Sequence, residues 1–392
     1  MNLKVLLLED SETDADLITR QLTRDKLNIT AARVDTRDEF VNSITTFKPD
    51  IILSDHSLPQ FNSLAALEIA QRELPNVPFI LVTGTVSEEF AVACIKAGAD
   101  DYILKSNLAR LSSSIKHSLE KRNLETENII IKRLNAEIKE KNKDITDSIN
   151  YALRLQQALM QAKGELLDIF PQSFILLRPK HILSGDFYWF KKTDDHCMVA
   201  AADCTGHGVP GALLTILGMN ILHSALGAHK TSSPSSLLKL LDADMHRKLN
   251  HKKNGTVIND GMDIAICDID RKKMTLTVSG ANSDVYLVHD GDIKHITTDK
   301  YFIGSGDETK EFETRHILLK KGDTIYLSSD GFRDQFGGGQ SKKMGSARFR
   351  ELLLSLSEVD FPKQEETLRS ALAIWQGNEE QTDDILVMGI RI

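Results

Sequence analysis

Short apolar runs alternate with amphipathic stretches through the first third of the chain. Residues 5–8, 51–53 and 79–82 are apolar over strand length, and each run is followed by apolar positions at helical spacing, over 15–22, 64–70 and 90–97. This rhythm predicts a parallel sheet with helices on both faces. Pro49, Pro59, Pro75 and Pro78 punctuate the elements, and Gly98, Ala99 and Asp100 end a helix before a last strand at 102–104. An α/β domain over residues 1–120 follows from this pattern.

Between Asn107 and Gly164 the chain has neither proline nor glycine and is rich in Lys, Glu, Asn and Ile, which predicts a long helix. Leu124, Ile131, Ile138, Ile145, Ala152 and Leu159 recur every seven residues, the spacing of a coiled-coil seam. Leu134 and Leu155 suit the partner positions of that seam, whereas Lys141 and Ser148 do not. β-Branched residues at one core position favour a two-stranded parallel pairing, so residues 121–165 are expected to join two copies of the chain as a helical linker, the alternative being a single helix packed on its own domains.

After Pro171 the texture changes to short strands and glycine-rich turns. Strands are expected at 174–177, 187–190, 198–202, 262–267, 274–278, 285–288, 324–327 and 385–390, and helices at 212–226, 235–249, 349–356 and 366–375. Many strands with a few helices predict an α+β sandwich over 166–392. Phe187, Tyr188 and Trp189 are expected in its core.

Composition narrows the classes of function. The 392 residues carry a formal net charge of -8, which argues against electrostatic attraction to nucleic acid or anionic lipid. Cys94, Cys197, Cys204 and Cys267 lack paired metal-ligand spacing and read as reduced thiols without a disulfide. The apolar start ends at Glu9 and Asp10, unlike a signal peptide, and no apolar run approaches the roughly 20 residues of a membrane span. A cytoplasmic chain that binds neither membrane nor nucleic acid is expected.

In the first domain Glu9 and Asp10 follow the first strand, Asp55 the third, Thr83 the fourth and Lys105 the fifth. The carboxyl ends of an open parallel sheet converge on one crevice. Three carboxylates crowded there repel one another unless a divalent cation joins them, and an all-oxygen site suits Mg²⁺. Asp55 then becomes a nucleophile toward phosphorus, with Lys105 and the Thr83 hydroxyl placed to hold the phosphoryl group.

Across nearly all of residues 1–120 the chain resembles the receiver domain of two-component response regulators, on Leu6-Leu7-Leu8-Glu9-Asp10, Asp50-Ile51-Ile52-Leu53-Ser54-Asp55, Leu58-Pro59, Thr83, Gly98-Ala99-Asp100-Asp101-Tyr102 and Lys105. The resemblance implies a doubly wound sheet of order 2-1-3-4-5 and phosphorylation of Asp55 by a histidine kinase. It further implies one Mg²⁺ held at Glu9, Asp10, Asp55 and the Ser57 carbonyl, and a switch formed by Thr83, Tyr102 and Lys105. Ser106 stands where proline is usual, and Glu9 where aspartate is common; neither change removes a chemical role.

In the second domain a strand runs into Asp203-Cys204-Thr205-Gly206-His207-Gly208, followed by a helix that opens near Pro210. An acid at a strand end beside a glycine turn can offer a cation both carboxylate and backbone carbonyl. Asp186, Asp330 and Asp383 repeat the arrangement. Four separated aspartates without a histidine or cysteine pattern indicate Mg²⁺ or Mn²⁺ rather than zinc. Asp263 and Asp268, on or beside a flanking strand, read as solvated acids.

Residues 170–392 resemble the type 2C metal-dependent protein phosphatases in their bacterial SpoIIE-like branch. The motifs are Ser184-Gly185-Asp186-Phe187-Tyr188-Trp189, the run from Asp203 to Ala212, Ser279-Gly280-Ala281-Asn282, the run from Ser328 to Gly338, and Asp383-Asp384-Ile385-Leu386-Val387. The resemblance implies that Asp203 bridges two Mn²⁺ or Mg²⁺ ions, with Asp186 and the Cys204 carbonyl serving one side and Asp330 and Asp383 the other. Asp384 stands where many relatives have asparagine. Two metals suit the hydrolysis of a phosphate ester because they acidify water, neutralise phosphoryl oxygens and align an in-line displacement. The leaving alkoxide also needs a proton, and His207 is a candidate donor, weighed against a turn-packing role; type 2C relatives place their acid histidine differently.

The expected function is therefore a response regulator whose output hydrolyses phosphoserine or phosphothreonine on a partner protein, in family terms often an anti-anti-sigma factor. The competing reading is a phosphatase-shaped adaptor that binds a partner without catalysis; loss of two or more aspartates would favour it, and all four are present. A DNA-binding output is disfavoured, since no basic helix-turn-helix segment follows the first domain. The linker helix is a natural bistable element between the two sites, with activation by Asp55 phosphorylation expected.

Overall fold

A computed structural model describes residues 2–56, 58–59, 61–84, 88–228, 233–249, 260–307, 309–339 and 341–392. The chain divides into two compact units, Met1–Asn142 and Lys143–Ile392.

The first unit is built from β1 (Leu3–Leu8), α1 (Glu12–Arg24), β2 (Ile29–Val34), α2 (Arg37–Thr46), β3 (Ile51–Ser54), α3 (Ser63–Glu73), β4 (Phe79–Thr83), α4 (Glu88–Lys96) and β5 (Asp101–Leu104), and it receives the start of α5 (Leu111–Leu159). The strands form one parallel sheet of order β2-β1-β3-β4-β5, as expected. Val5, Leu7, Ile51, Leu53, Ile80 and Val82 pack on one face with Ile18 and Leu22 of α1 and Leu111 and Ile115 of α5. Leu6, Leu8, Ile52, Phe79 and Leu81 pack on the other with α2, α3 and Cys94 of α4. The pattern reading missed β2 and α2. β2 is an edge strand in which only Val34 is buried, so it carries no continuous apolar run. Arg122 of α5 reaches back to the Asp100 carboxylate at 3.0 and 3.1 Å.

α5 is shorter at both ends than its expected range. Along it Leu124, Ile131, Ile138, Ile145 and Leu159 are each about half exposed, as are Leu134 and Leu155.

The second unit contains α6 (Lys163–Ile169), β6 (Ser173–Arg178), β7 (Asp186–Thr193), β8 (His196–Cys204), α7 (Gly208–Ala228), α8 (Pro234–Leu249), β9 (Met262–Asp270), β10 (Thr275–Ala281), β11 (Val285–His289), β12 (Asp292–Ile296), β13 (Arg315–Leu318) and β14 (Thr324–Ser328). It closes with α9 (Gly331–Asp334), the two-residue strands β15 (Phe336–Gly337) and β16 (Lys342–Lys343), α10 (Gly345–Ser355), α11 (Gln364–Gln376) and β17 (Ile385–Arg391). Two five-stranded sheets have the orders β13-β10-β9-β8-β7 and β12-β11-β14-β17-β6. Their inner faces meet in a core that includes Tyr188, Phe190, Val199, Ala201 and Cys267 from the first and Ile175, Leu287, Leu327, Leu386 and Met388 from the second. The period of two sends Phe187 and Trp189 to the opposite face, where α7 and α8 pack. α10 and α11 cover the outer face of the other sheet. The α+β sandwich thus has four layers, helix, sheet, sheet and helix.

One expectation is corrected. The 18-residue window Gly208–Ala225 of α7 is long and apolar enough, by length and composition, to cross a membrane. Thr215, Gly218 and Asn220 interrupt its apolar run without offsetting the rest. Half of the window is buried, with Ala212, Leu214, Met219 and Leu222 in the core beside β7 to β9.

Candidate functional site

In the first unit the strand ends bring the expected acids together. Ligand atoms of Glu9, Asp10 and Asp55 all lie within 4.8 Å of one another. The Lys105 ammonium donates to Asp55 at 2.8 Å, to Glu9 at 3.1 Å and to Asp14 at 2.5 Å. Asp14, on the first turns of α1, was not anticipated, since nothing in its local sequence separates it from a solvated helix acid. Burial raises the pKa of Glu9, the charge of Asp55 adds to this, and Lys105 offsets part of it. Burial works against the Lys105 charge, but Asp14, Asp55 and Glu9 outweigh it and hold the ammonium's pKa above its ordinary value. Asp55 Oδ1 also accepts from the His56 N–H at 2.6 Å. Thr83 is buried at the end of β4, and Tyr102 on β5 is 38% exposed. Ser57 lies outside the described residues.

In the second unit register brings acids into line. Asp186 on β7 is paired across the ladder with Asp203 on β8, and Asp203 with Asp263 on β9. Partners directly opposite on adjacent strands point to the same face. Asp330 follows β14 and Asp383 precedes β17, so the ends of both sheets contribute. Asp203 is within hydrogen-bonding reach of Asp186 and of Asp330. A cavity of about 240 Å³ is lined by Asp203, Asp263, Asn282, Asp284, Asp330 and neighbouring residues.

The turn geometry that holds these acids is tight. A Cβ at Gly185 would stand 2.7 Å from the Gly206 carbonyl oxygen, and one at Gly211 would stand 2.3 Å from it. Only glycine lets the Asp186 loop, the Asp203 turn and the start of α7 meet there. Asp384 stabilises the same loop: its carboxylate accepts from the Gly185 and Lys180 N–H groups, each at 2.6 Å. The side chain of Asp384 is thus occupied by backbone.

Asp186 is fully buried. Its Oδ2 accepts from the Ser329 hydroxyl at 2.6 Å, and its Oδ1 is buried with no hydrogen-bond partner among the described residues. A buried carboxylate oxygen lacking a donor is costly, and a divalent cation would satisfy it. The donor set, all oxygen, fits Mg²⁺ or Mn²⁺.

Like charge and burial disturb the acids strongly. Burial, with Asp330, Asp383 and Asp263 adding repulsion, pushes Asp203 up to about 8. Asp186 is raised well above the usual carboxylate range by burial and by Asp203. Burial and the charge of Asp330 lift Asp263 to about 6, against a hydrogen bond from Asn282 Nδ2. Each raised acid binds its proton more tightly folded than unfolded, so metal-free stability falls as pH rises from the unfolded pKa near 4 through the folded value near 8. Thermal melts in EDTA are expected to show a falling midpoint over that window. Mn²⁺ should restore stability most at the alkaline end, by about 2.7 kcal/mol at a hundredfold excess over its Kd. A midpoint in EDTA that rises with pH would contradict this.

In the second unit three more residues escaped the sequence reading. Asp263, taken for a solvated acid, lines the cavity; its signal was its place at the second position of a strand that pairs with the Asp203 strand. Asp268, also taken as solvated, is buried and pairs with His196 at 3.0 Å. Ser329 joins the sheets, accepting from the Leu386 N–H at 2.9 Å while it donates to Asp186. His207 stands exposed on the turn after Asp203 with its ring edge-on to His181, centroids 4.6 Å apart, and is not among the residues lining the cavity.

The end of α5 is fastened to this site. Gln156 is buried; its amide donates to the Ser184 carbonyl at 2.6 Å and accepts from the Ser184 N–H at 3.3 Å. Gln161 makes the same two-way contact with Phe190 on the edge strand β7. Gln156→Ala strands the buried Ser184 N–H, and a loss of about 1–3 kcal/mol is expected in urea unfolding of the second unit. An unchanged midpoint would show that water replaces the amide.

Fold and site together define a response-regulator receiver joined to a type 2C phosphatase domain. The receiver family, described as "Response regulator receiver domain", matches residues 5–116. The family described as "Stage II sporulation protein E (SpoIIE)" matches residues 193–392, more than half the chain, and the chain belongs to that family. The second unit is similar to the solved SiaA-PP2C domain of Pseudomonas aeruginosa, with 31% identity, a TM-score of 0.58, and coverage of 64% of this chain and 98% of that one. The phosphoserine phosphatase RsbU of Bacillus subtilis is 26% identical over 48% of this chain and 54% of its own length. The transcriptional regulatory protein KdpE of Staphylococcus aureus is 33% identical over 27% of this chain and 44% of its own length. The chain thus spans about half the length of these curated relatives.

Proposed function

We propose that the chain hydrolyses phosphoserine or phosphothreonine on a partner protein, using two Mn²⁺ or Mg²⁺ ions, under control of phosphorylation at Asp55. The strongest support is the alignment of Asp186 and Asp203 in register, near Asp330 and Asp383, with one Asp186 oxygen buried and unpartnered among the described residues. Asp186 and the Cys204 carbonyl would hold one ion and Asp330 and Asp383 the other, with Asp203 shared. Bound there, the ions supply an acidified water and neutralise phosphoryl oxygens. The chain's own part is orientation: Ser329 fixes Asp186, and Asp384 fixes the Gly185 loop that precedes it. His207, exposed beside His181 and outside the cavity lining, fits a turn-packing role better than that of proton donor to the leaving oxygen.

In the receiver, Glu9, Asp10, Asp55 and the Ser57 carbonyl would hold one Mg²⁺. Asp55 attacks phosphorus of a phosphohistidine on the kinase, forming an acyl phosphate and leaving the histidine. Lys105 then pairs with the phosphoryl oxygens, and Thr83 and Tyr102 read the change. The half-exposed seam of α5 supports a parallel homodimer through the linker at 121–165, between a receiver at 1–120 and a phosphatase domain at 166–392. The similarity to RsbU supports a phosphoserine protein, such as an anti-anti-sigma factor, as substrate.

The test assays the full chain on a phosphoserine peptide with Mn²⁺, with and without acetyl phosphate. Hydrolysis that EDTA abolishes and acetyl phosphate accelerates is expected. No hydrolysis under either condition would favour the adaptor.

A further inference from the structure

The cavity at Asp203 is lined by two cations that act on Asp263 and Asp330 through space without closing an ion pair to either. Arg333 and Lys300 line it together with Asp203, Asp263, Asp284 and Asp330. Among the described residues neither forms an ion pair, although carboxylates surround both. The neighbouring acids are engaged elsewhere. Asp334 is paired with Lys343 at 2.6 Å, Asp284 with His295 at 2.7 Å, and Asp263 accepts from Asn282 at 3.0 Å. The Arg333 guanidinium lies near the Tyr286 hydroxyl, and its Nε is buried with no hydrogen-bond partner among the described residues. A buried donor on a charged group that lacks an acceptor is costly. A guanidinium present only to neutralise the acids would be expected to pair with one of them.

Both cations are carried on constrained backbone. Arg333 follows Phe332, which is fully buried, on α9. A Cβ at Gly331 would stand 1.8 Å from the Asp384 carbonyl oxygen, so α9 is pressed against the start of β17. Lys300 follows Asp299, which bridges Ala281 and accepts from the Asn282 N–H at 2.6 Å.

We propose that Arg333 and Lys300 form a phosphoryl-binding subsite that selects dianionic phosphate monoesters. The inference rests on the phosphatase reading and names how that site recognises its substrate. A guanidinium presents a planar fork that matches two phosphoryl oxygens, and an ammonium adds a compact second charge. Two positive charges balance the two negative charges of a phosphoserine or phosphothreonine ester. A diester carries one negative charge instead of two and keeps two terminal oxygens instead of three, so it cannot engage the fork and the ammonium with a full dianion.

The experiment uses the full chain with Mn²⁺ and measures three quantities on wild type, Arg333→Gln, Arg333→Lys and Lys300→Gln. These are calorimetric affinity for inorganic phosphate, calorimetric affinity for Mn²⁺, and KM and kcat on a phosphoserine peptide. Arg333→Gln is expected to weaken phosphate binding and raise KM by roughly tenfold or more, as for loss of a charge-assisted hydrogen bond. Its Mn²⁺ affinity should be retained. Arg333→Lys should recover part of the loss, and Lys300→Gln should show a smaller one. Competition by methyl phosphate but not by dimethyl phosphate would confirm selection for the dianion. Unchanged phosphate affinity in both glutamine variants, or a loss fully explained by lost Mn²⁺, overturns the subsite even if wild type hydrolyses the peptide. Phosphate binding that depends on Arg333 in a chain that hydrolyses no phosphopeptide would keep the subsite and sink the phosphatase reading.

Discussion

Replacing Asp203 by asparagine is expected to abolish metal-dependent hydrolysis while leaving the metal-free protein at least as stable as wild type. Asp203 is the acid that register sets between Asp186 and Asp263 and that electrostatics links to Asp330 and Asp383. An amide at that position removes the charge that two cations would share. The drop in rate should be on the order of a thousandfold or more, since two-metal sites supply several kcal/mol of charge stabilisation and each 1.4 kcal/mol is a factor of ten. Stability should move the other way. Burial and three acids push Asp203 up to about 8, so at alkaline pH the folded wild type must carry an unfavourable charge or hold a proton the unfolded chain would release. Asparagine avoids both. Activity on a phosphopeptide with Mn²⁺ and melting in EDTA at pH 8 read the two effects separately. A variant that is inactive and also melts well below wild type in EDTA would assign the loss to folding.

Asp55→Asn is expected to prevent modification of the receiver by acetyl phosphate. The wild-type chain, with Mg²⁺, should gain one phosphoryl group by intact mass. The Asp55 carboxylate is buried beside the Lys105 ammonium at 2.8 Å and the His56 N–H at 2.6 Å. Those contacts orient it, whereas an asparagine amide is no nucleophile at phosphorus. Chelating Mg²⁺ should suppress wild-type labelling, because Glu9 and Asp10 stand within 4.8 Å and repel an incoming anion unless a cation joins them. Equal labelling of wild type and variant would place the acceptor elsewhere.

Most elements were legible where burial was two-sided or strictly periodic. The runs at β1, β3 and β4 are buried at every core position, and a run of that kind has few other solutions. β2, β12 and β13 were not legible. All three are edge strands with largely exposed faces, so hydrogen bonding to a neighbour defines them rather than an apolar pattern. The four-residue helix α9 was missed because it is too short to show a period, although Asp330 before it and Arg333 on it belong to the cavity.

The sequence alone determined which chemistry is available. Acids at strand ends beside glycines, a lysine after the fifth strand and a seven-residue seam are local features that survive without coordinates. Tertiary structure decided which groups act together. Strand register set Asp263 beside Asp203, sheet-to-sheet packing brought Ser329 to Asp186, and the approach of α1 delivered Asp14 to Lys105. None of these pairs is close in sequence, and a one-residue slip of register would turn each strand acid to the opposite face. For the aspartate cluster, residue identity was readable, while its burial, its raised pKa values and the placing of Arg333 and Lys300 beside it come from packing.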